Sequence, residues 1–198
     1  MMLDDIYNDE FFDMHVPWKS DYAYFADLLR KQFRFKTVLD LGCGNGYLIS
    51  YLQGMGKTVT GVDGASRSNY YSHIPIRIAD LTQDIYFGDF DLVLCLEVAE
   101  HIDAFSADQL VENITRSANS LIVFSAATAG YGGLHHVNEQ PKKYWLEKFG
   151  QYDFTEDRKA SFQLRWNLRQ CEHTWWFSKN VMVLTNAANE HAKGRRRI

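Results

Sequence analysis

Residues 38–46 read Val-Leu-Asp-Leu-Gly-Cys-Gly-Asn-Gly, an apolar strand running into a glycine-rich turn with one carboxylate, Asp40, just before it. Glycine lets the backbone bend into conformations closed to other residues, and lets it approach a ligand with no Cβ in the way. At the C-terminal edge of a parallel strand, such a turn frames a nucleotide-sized site. The spacing is Gly42-x-Gly44-x-Gly46, which is neither the G-x-G-x-x-G of a dinucleotide site nor a Walker loop. No Lys-Ser/Thr pair follows to hold phosphates. The turn therefore points to a nucleoside carrying little negative charge.

From there to residue 125 the chain alternates strand and helix signals. Tyr22, Phe25, Ala26, Leu29 and Phe33 recur at helical spacing and predict an amphipathic helix over 20–34. Strands are expected at 37–41, at 59–62 closing on Asp63, at 76–78 closing on Asp80, at 90–96 and at 120–125. Helices are expected over 45–55 and 106–118. Short connections between them predict an α/β fold with a Rossmann-like, doubly wound, mostly parallel sheet. Past residue 126 the pattern changes. A loop with Gly130, Gly132 and Gly133 leads to His135-His136-Val137-Asn138-Glu139, and Pro141 opens a helix running to about Phe149. Two β-rich stretches, 174–177 and 181–185, are expected to close the sheet with an antiparallel C-terminal edge. No repeat, low-complexity tract or linker interrupts the chain. Residues 1–198 read as one domain: 1–36 a substrate-side cap, 37–125 a cofactor-binding core, and 126–198 a substrate loop with closing strands.

Composition excludes some classes. A chain of 198 residues with 46% apolar and 15% aromatic content can bury a sizeable core. The net charge is −4 and no basic stripe crosses the body, which argues against a dedicated duplex binder. The dense cluster from Lys193 to Arg197 reads as a solvated tail. Cys43, Cys95 and Cys171 form no C-x-x-C pair and read as reduced thiols. The acidic N-terminus has no signal-peptide core, and no apolar run reaches the length of a membrane span. A cytoplasmic protein with no membrane partner is expected, its oligomeric state left open.

Three carboxylates, Asp40, Asp63 and Asp80, fall at or just past the ends of successive strands, where a parallel sheet opens its crevice. Asp63 lies about twenty residues past the glycine turn, where an acidic side chain can accept from both ribose hydroxyls. The series 38–46, Gly61-Val62-Asp63-Gly64, Ala79-Asp80-Leu81 and Phe90 to Glu97 resembles class I S-adenosylmethionine-dependent methyltransferases in order and spacing. The resemblance spans about residues 37–125. It implies that S-adenosylmethionine is the cofactor and that Gly42, Gly44 and Gly46 pass its methionine part. It implies that Asp63 holds the ribose, that Asp80 and Leu81 lie by the adenine, and that Asp40 supports the loop or the amino group. Glu97 belongs to the same cofactor set.

A second constellation is Glu97-x-x-Glu100-His101, followed later by His135-His136. On a helical turn Glu97, Glu100 and His101 share one face. Carboxylates with imidazoles suit Mg, Mn or Fe(II) better than a structural zinc. His136 or its neighbour can complete the set. This resembles the Glu-x-x-Glu-His plus distal His of small-RNA 3′-terminal 2′-O-methyltransferases, and the Glu-x-x-Glu-His of ubiquinone-pathway O-methyltransferases. In many class I enzymes the same turn serves only the cofactor pocket and packing. Without a metal, His135 or His136 can act as general base, with His101 beside them, because imidazole titrates near neutral pH. Phe12, His15, Trp18, Tyr22, Tyr131, Trp166 and Trp175 are candidates for the substrate side.

The leading expectation is O-methylation of a small molecule or saccharide, with no nucleic-acid partner. The alternatives are a metal-dependent methyltransferase of an RNA 3′ terminus, and a non-catalytic, cofactor-binding regulatory or partner subunit.

Overall fold

The apolar run Phe90–Leu96 forms a strand buried on both faces, and its side-chain alternation sets the layering of the molecule. Leu92 and Leu94 enter one core, and Val93 and Cys95 enter the other. Residues 3–186 are those described in the computed structural model. They form a seven-stranded sheet. The strands are β1 (Thr37–Leu41), β2 (Thr58–Asp63), β3 (Ile76–Ile78), β4 (Phe90–Leu96), β5 (Ala118–Ser125), β6 (Phe154–Glu156) and β7 (Met182–Asn186). Their order is β3-β2-β1-β4-β5-β7-β6. β1 to β5 pair in parallel, and β7 runs antiparallel to β5 and β6. The sheet is thus the doubly wound, mostly parallel one expected, with an antiparallel strand at the C-terminal edge.

The helices are α1 (Leu3–Ile6), α2 (Asp9–Met14), α3 (Lys19–Gln32), α4 (Tyr47–Gly54), α5 (Ser68–Tyr71), α6 (Ala107–Ser117), α7 (Lys142–Gly150), α8 (Arg158–Leu168) and α9 (Phe177–Asn180). On one face, Phe25 and Leu29 of α3, Ile49 and Leu52 of α4 and Leu164 of α8 bury the first core. On the other, Leu110, Val111 and Ile114 of α6 with Trp145 and Phe149 of α7 bury the second. Of these helices, none is long and apolar enough to cross a membrane.

The closing edge differs from expectation in one strand. Residues 174–177 lead into α9, and β6 takes the outer position instead. The cause is Asp21, a buried carboxylate of α3. It accepts the backbone N–H groups of Glu172, His173 and Thr174 at 3.2, 2.7 and 2.8 Å, and the Thr174 hydroxyl at 3.2 Å. Three successive amides gathered on one carboxylate bend the chain, where a strand would alternate them to opposite sides. The second expected strand forms as β7, displaced by one residue. Helix α8 starts on the side-chain cap of Asp157, which accepts from Ala160 N at 2.9 Å. The basic cluster 193–197 lies outside the described residues.

Candidate functional site

The strand order reverses between β1 and β4. Such a switch point opens a crevice at the C-terminal ends of the strands. A cavity of about 640 Å³ lies there, lined by Asp40 of β1, Asp63 of β2, Asp80 and Leu81 after β3, and Glu97 after β4. Small-molecule sites usually enclose roughly 300–1,000 Å³.

The glycine turn is held by β2. Gly42 N and Cys43 N donate to the Val62 carbonyl at 2.8 and 3.0 Å. Gly44 N donates to Asp63 Oδ2 at 2.8 Å, and Ala65 N to Asp63 Oδ1 at 2.9 Å. Gly42 has φ +77°, and a Cβ there would overlap Val98, so no other residue fits. Gly44 lines the cavity, whereas Gly46, at φ +66°, sits behind it and opens α4. Burial raises the Asp63 carboxyl, against the pull of the amide bonds from Ala65 and Gly44. Burial, followed by the neighbouring Asp63, pushes Asp40 up to about 8. Asp80 accepts from Thr82 N at 2.9 Å and Thr82 Oγ1 at 2.7 Å. Burial pushes its carboxyl up, but these bonds and one from Gln83 outweigh that and hold it below the usual range.

After β4 the chain makes a sharp bend rather than the expected helical face. Glu97 takes the left-handed region at φ +54° and lies outside the 3-10 turn Ala99–His101. Its amide donates to the Ser125 carbonyl at 3.0 Å, and its carboxylate accepts from Asn180 at 3.2 and 3.3 Å. Glu100 is fully buried. Its Oε1 accepts Ala127 N at 3.0 Å, and its backbone carbonyl accepts Val137 N and Asn138 N at 2.9 Å each. No donor among the described residues reaches Glu100 Oε2, and the carboxyl group meets that of Glu97 instead. Burial, then the Glu97 charge, lift Glu100 to about 8.

The two sides of the cavity meet through histidines. His101 Nδ1 lies 3.2 Å from the His135 carbonyl, which fixes Nδ1 as the donor. Burial and the nearby His136 lower His101 to about 4, so the ring is neutral. The His136 ring stands edge-on to it, centroids 4.8 Å apart. His136 Nδ1 lies 2.8 Å from Glu139 Oε1. His135 sits at φ +58° with its side chain exposed at the mouth. Ligand atoms of Glu100, His101 and His136 come within 4.8 Å of one another, and Glu97 is not in that group.

The residue types lining the cavity are unevenly distributed. Six carboxylates are present, Asp103 the outermost in sequence, and neither lysine nor arginine occurs among the described lining residues. Aromatic rings form the outer wall. Tyr7 stands edge-on to His101 at 5.8 Å, Trp18 to Trp176 at 5.0 Å, and Tyr131 stacks on Trp175 at 5.7 Å. Phe12, His15 and Tyr22 also line the cavity, but Trp166 does not. It stacks on Phe162 along the outer face of α8.

A family model described as a methyltransferase domain matches residues 14–180, a span that contains the glycine turn, all the carboxylates named above and both histidine-bearing segments. The chain belongs to that family. The methyltransferase is 30% identical over 161 residues to the ubiquinone biosynthesis O-methyltransferase of Glaesserella parasuis serovar 5, covering 73% of this chain and 67% of that one. It spans about half the length of several curated relatives that it matches, 44% for that of Psychrobacter cryohalolentis and 50% for that of Chromobacterium violaceum. The fold is that of class I S-adenosylmethionine-dependent methyltransferases. A TehB-like member from Corynebacterium glutamicum superposes with a TM-score of 0.64 at 21% identity, covering 82% of this chain and 86% of its own. The magnesium protoporphyrin IX methyltransferase of Synechocystis PCC 6803, solved with bound SAH, gives 0.59 at 18%, covering 92% and 91%.

Some residues of the methyltransferase site carried no sequence signal. Asn180 reaches Glu97 across 83 positions. Asn45 donates to the Phe12 carbonyl at 3.1 Å, tying the N-terminal segment to the glycine turn. Tyr7 stood in an aromatic stretch with nothing to single it out. Glu139 follows the histidine pair, but only the folded loop brings its carboxylate back onto His136.

Proposed function

We propose that the methyltransferase acts on a hydroxyl of a neutral, ring-bearing small molecule, with S-adenosylmethionine as cofactor. The observation that carries this reading is the cavity lining: His136 with one ring nitrogen tied off, carboxylates, aromatic rings, and no lysine or arginine among the described residues. A phosphate-bearing acceptor would find no cation among the described lining residues, which argues against an RNA terminus. Membership in a methyltransferase family favours an enzyme over a regulatory subunit. Relatives named O-methyltransferases support oxygen as the acceptor atom.

The chain's residues fit the cofactor. Asp63 would accept from the ribose hydroxyls, the Gly42–Gly44 backbone would pass the methionine part, Asp80 and Leu81 would flank the adenine, and Asp40 with Glu97 would face its positive charge. The cofactor supplies a methyl group already activated on sulfonium sulfur. What remains for the protein is alignment and removal of the hydroxyl proton. His136 Nε2 takes that proton. His101, with its pKa near 4, is too weak a base for the task. The aromatic wall positions the acceptor ring. The test incubates labelled S-adenosylmethionine with simple phenols, catechols and saccharides. Methyl on oxygen supports the reading, and methyl found only on amines overturns it.

Cofactor binding is expected to release a proton. In the free protein Asp40 is mostly protonated at pH 7, because its pKa stands at about 8. A cation beside it favours the carboxylate, so binding expels the proton and affinity rises with pH up to about 8. Calorimetry in buffers of different ionisation enthalpy should show close to one proton released. Asp40→Asn should abolish that release.

A second reading is favoured by the buried Glu100 Oε2, which no donor among the described residues reaches. Together with His101 and His136 it forms a donor set that suits a divalent metal such as Mg, Mn or Fe. A metal there would lower the pKa of the acceptor hydroxyl. Turnover of a catechol probe is expected to survive chelation. Loss in chelator, restored by Mn²⁺ with cofactor affinity unchanged, would transfer the role to the metal set.

A further inference from the structure

The loop from Ala127 to Glu139 is moored to the bend after β4 through Glu100 and His101. Its interior has a different anchor. Glu139 Oε2 accepts Gly130 N at 2.9 Å, and Oε1 accepts Gly132 N at 2.8 Å. The same Oε1 lies 2.8 Å from His136 Nδ1. One carboxylate thus closes the glycine stretch and holds the imidazole. Its partners at Gly130 and Gly132 are backbone N–H groups, which can only donate, so the carboxylate serves here as an acceptor and His136 Nδ1 as its third donor. At the other end of the ring a Cβ on Gly133 would overlap His136 Nε2, so it is the glycine there that leaves this nitrogen uncovered.

We propose that Glu139 is a positioning residue: it holds His136 as the Nδ1–H tautomer, with the Nε2 lone pair facing the cavity, and holds the 130–136 loop in the shape that presents it. The proposal rests on His136 being the reacting imidazole, but its geometry can be tested apart from turnover. Neutral imidazole in water prefers the Nε2–H tautomer modestly, and a ring with no partner at Nδ1 would place the proton where the lone pair is needed. A carboxylate at Nδ1 reverses that preference.

The test measures the His136 ring nitrogens by ¹⁵N–¹H correlation, assigned by their loss in His136→Ala. Wild-type protein should show Nδ1 protonated and Nε2 free. Glu139→Ala should shift the ring to the Nε2–H tautomer or a mixture. Glu139→Gln keeps a carbonyl oxygen at the Oε1 position, so it should retain the wild-type tautomer. It should also lose hydrogen-exchange protection at Gly130 N–H, whose acceptor becomes an amide NH₂. This second variant stands as a test even if the alanine variant folds poorly. Turnover of a catechol probe should fall roughly 10- to 100-fold in Glu139→Ala with the cofactor KM unchanged. An unchanged tautomer in Glu139→Ala, or Gly130 protection retained in Glu139→Gln, overturns the proposal. A shifted tautomer with full turnover leaves the positioning geometry standing and removes His136 from the chemistry.

Discussion

Replacing His136 with alanine is expected to lower methyl transfer to a catechol probe by roughly 10²–10⁴-fold, the usual contribution of a positioned general base. Cofactor affinity should stay within about twofold, because the cofactor contacts proposed above come from β1, β2 and the turns after β3 and β4. The effect is large because nothing nearby replaces the ring. His101 is neutral with a pKa of about 4, and Glu100 is held protonated at neutral pH by burial and Glu97. His135, next in sequence, is exposed, and no hydrogen bond among the described residues orients its ring. Single-turnover measurements with labelled cofactor give the rate, and calorimetry gives the affinity. Turnover retained in both His136→Ala and His135→Ala would remove the loop from catalysis.

The second large effect belongs to Asp63. Asp63→Ala should weaken S-adenosylmethionine binding by about 1–3 kcal/mol, the range for lost charged hydrogen bonds. That corresponds to roughly 5- to 150-fold in Kd. Two losses combine. The carboxylate no longer accepts from the ribose, and the amides of Gly44 and Ala65 lose their acceptor, so the glycine turn loosens as well. Asp63→Asn separates them. It keeps the shape and one carbonyl acceptor, so it should bind more weakly than wild type and more tightly than alanine. An unchanged Kd in Asp63→Ala, measured by calorimetry, would end the ribose assignment.

The parts of the fold that were legible in sequence are those in which local pattern and tertiary need coincide. Strands such as Phe90–Leu96 are apolar on both faces because the sheet is covered on both sides, so their composition alone marks them. Glycines at 42, 44 and 46 mark a turn because each takes a positive φ. Residues 174–177 were misleading for the opposite reason. Their β-rich composition is genuine, but Asp21, some 150 positions earlier, collects the amides of Glu172, His173 and Thr174 into a turn at their start.

The sequence by itself determined the α/β class, the crevice at the ends of β1, β2 and β4, and the residue types that face it, because strand periodicity and glycine turns are local properties of the chain. The tertiary structure alone decided the company those residues keep. It set Glu97 on a left-handed backbone step outside the turn that carries Glu100 and His101, and gave its carboxylate to Asn180. It folded the glycine loop back so that Glu139 meets His136. Such contacts depend on long-range packing and on where burial strips carboxylates of water, and no short window of sequence encodes either.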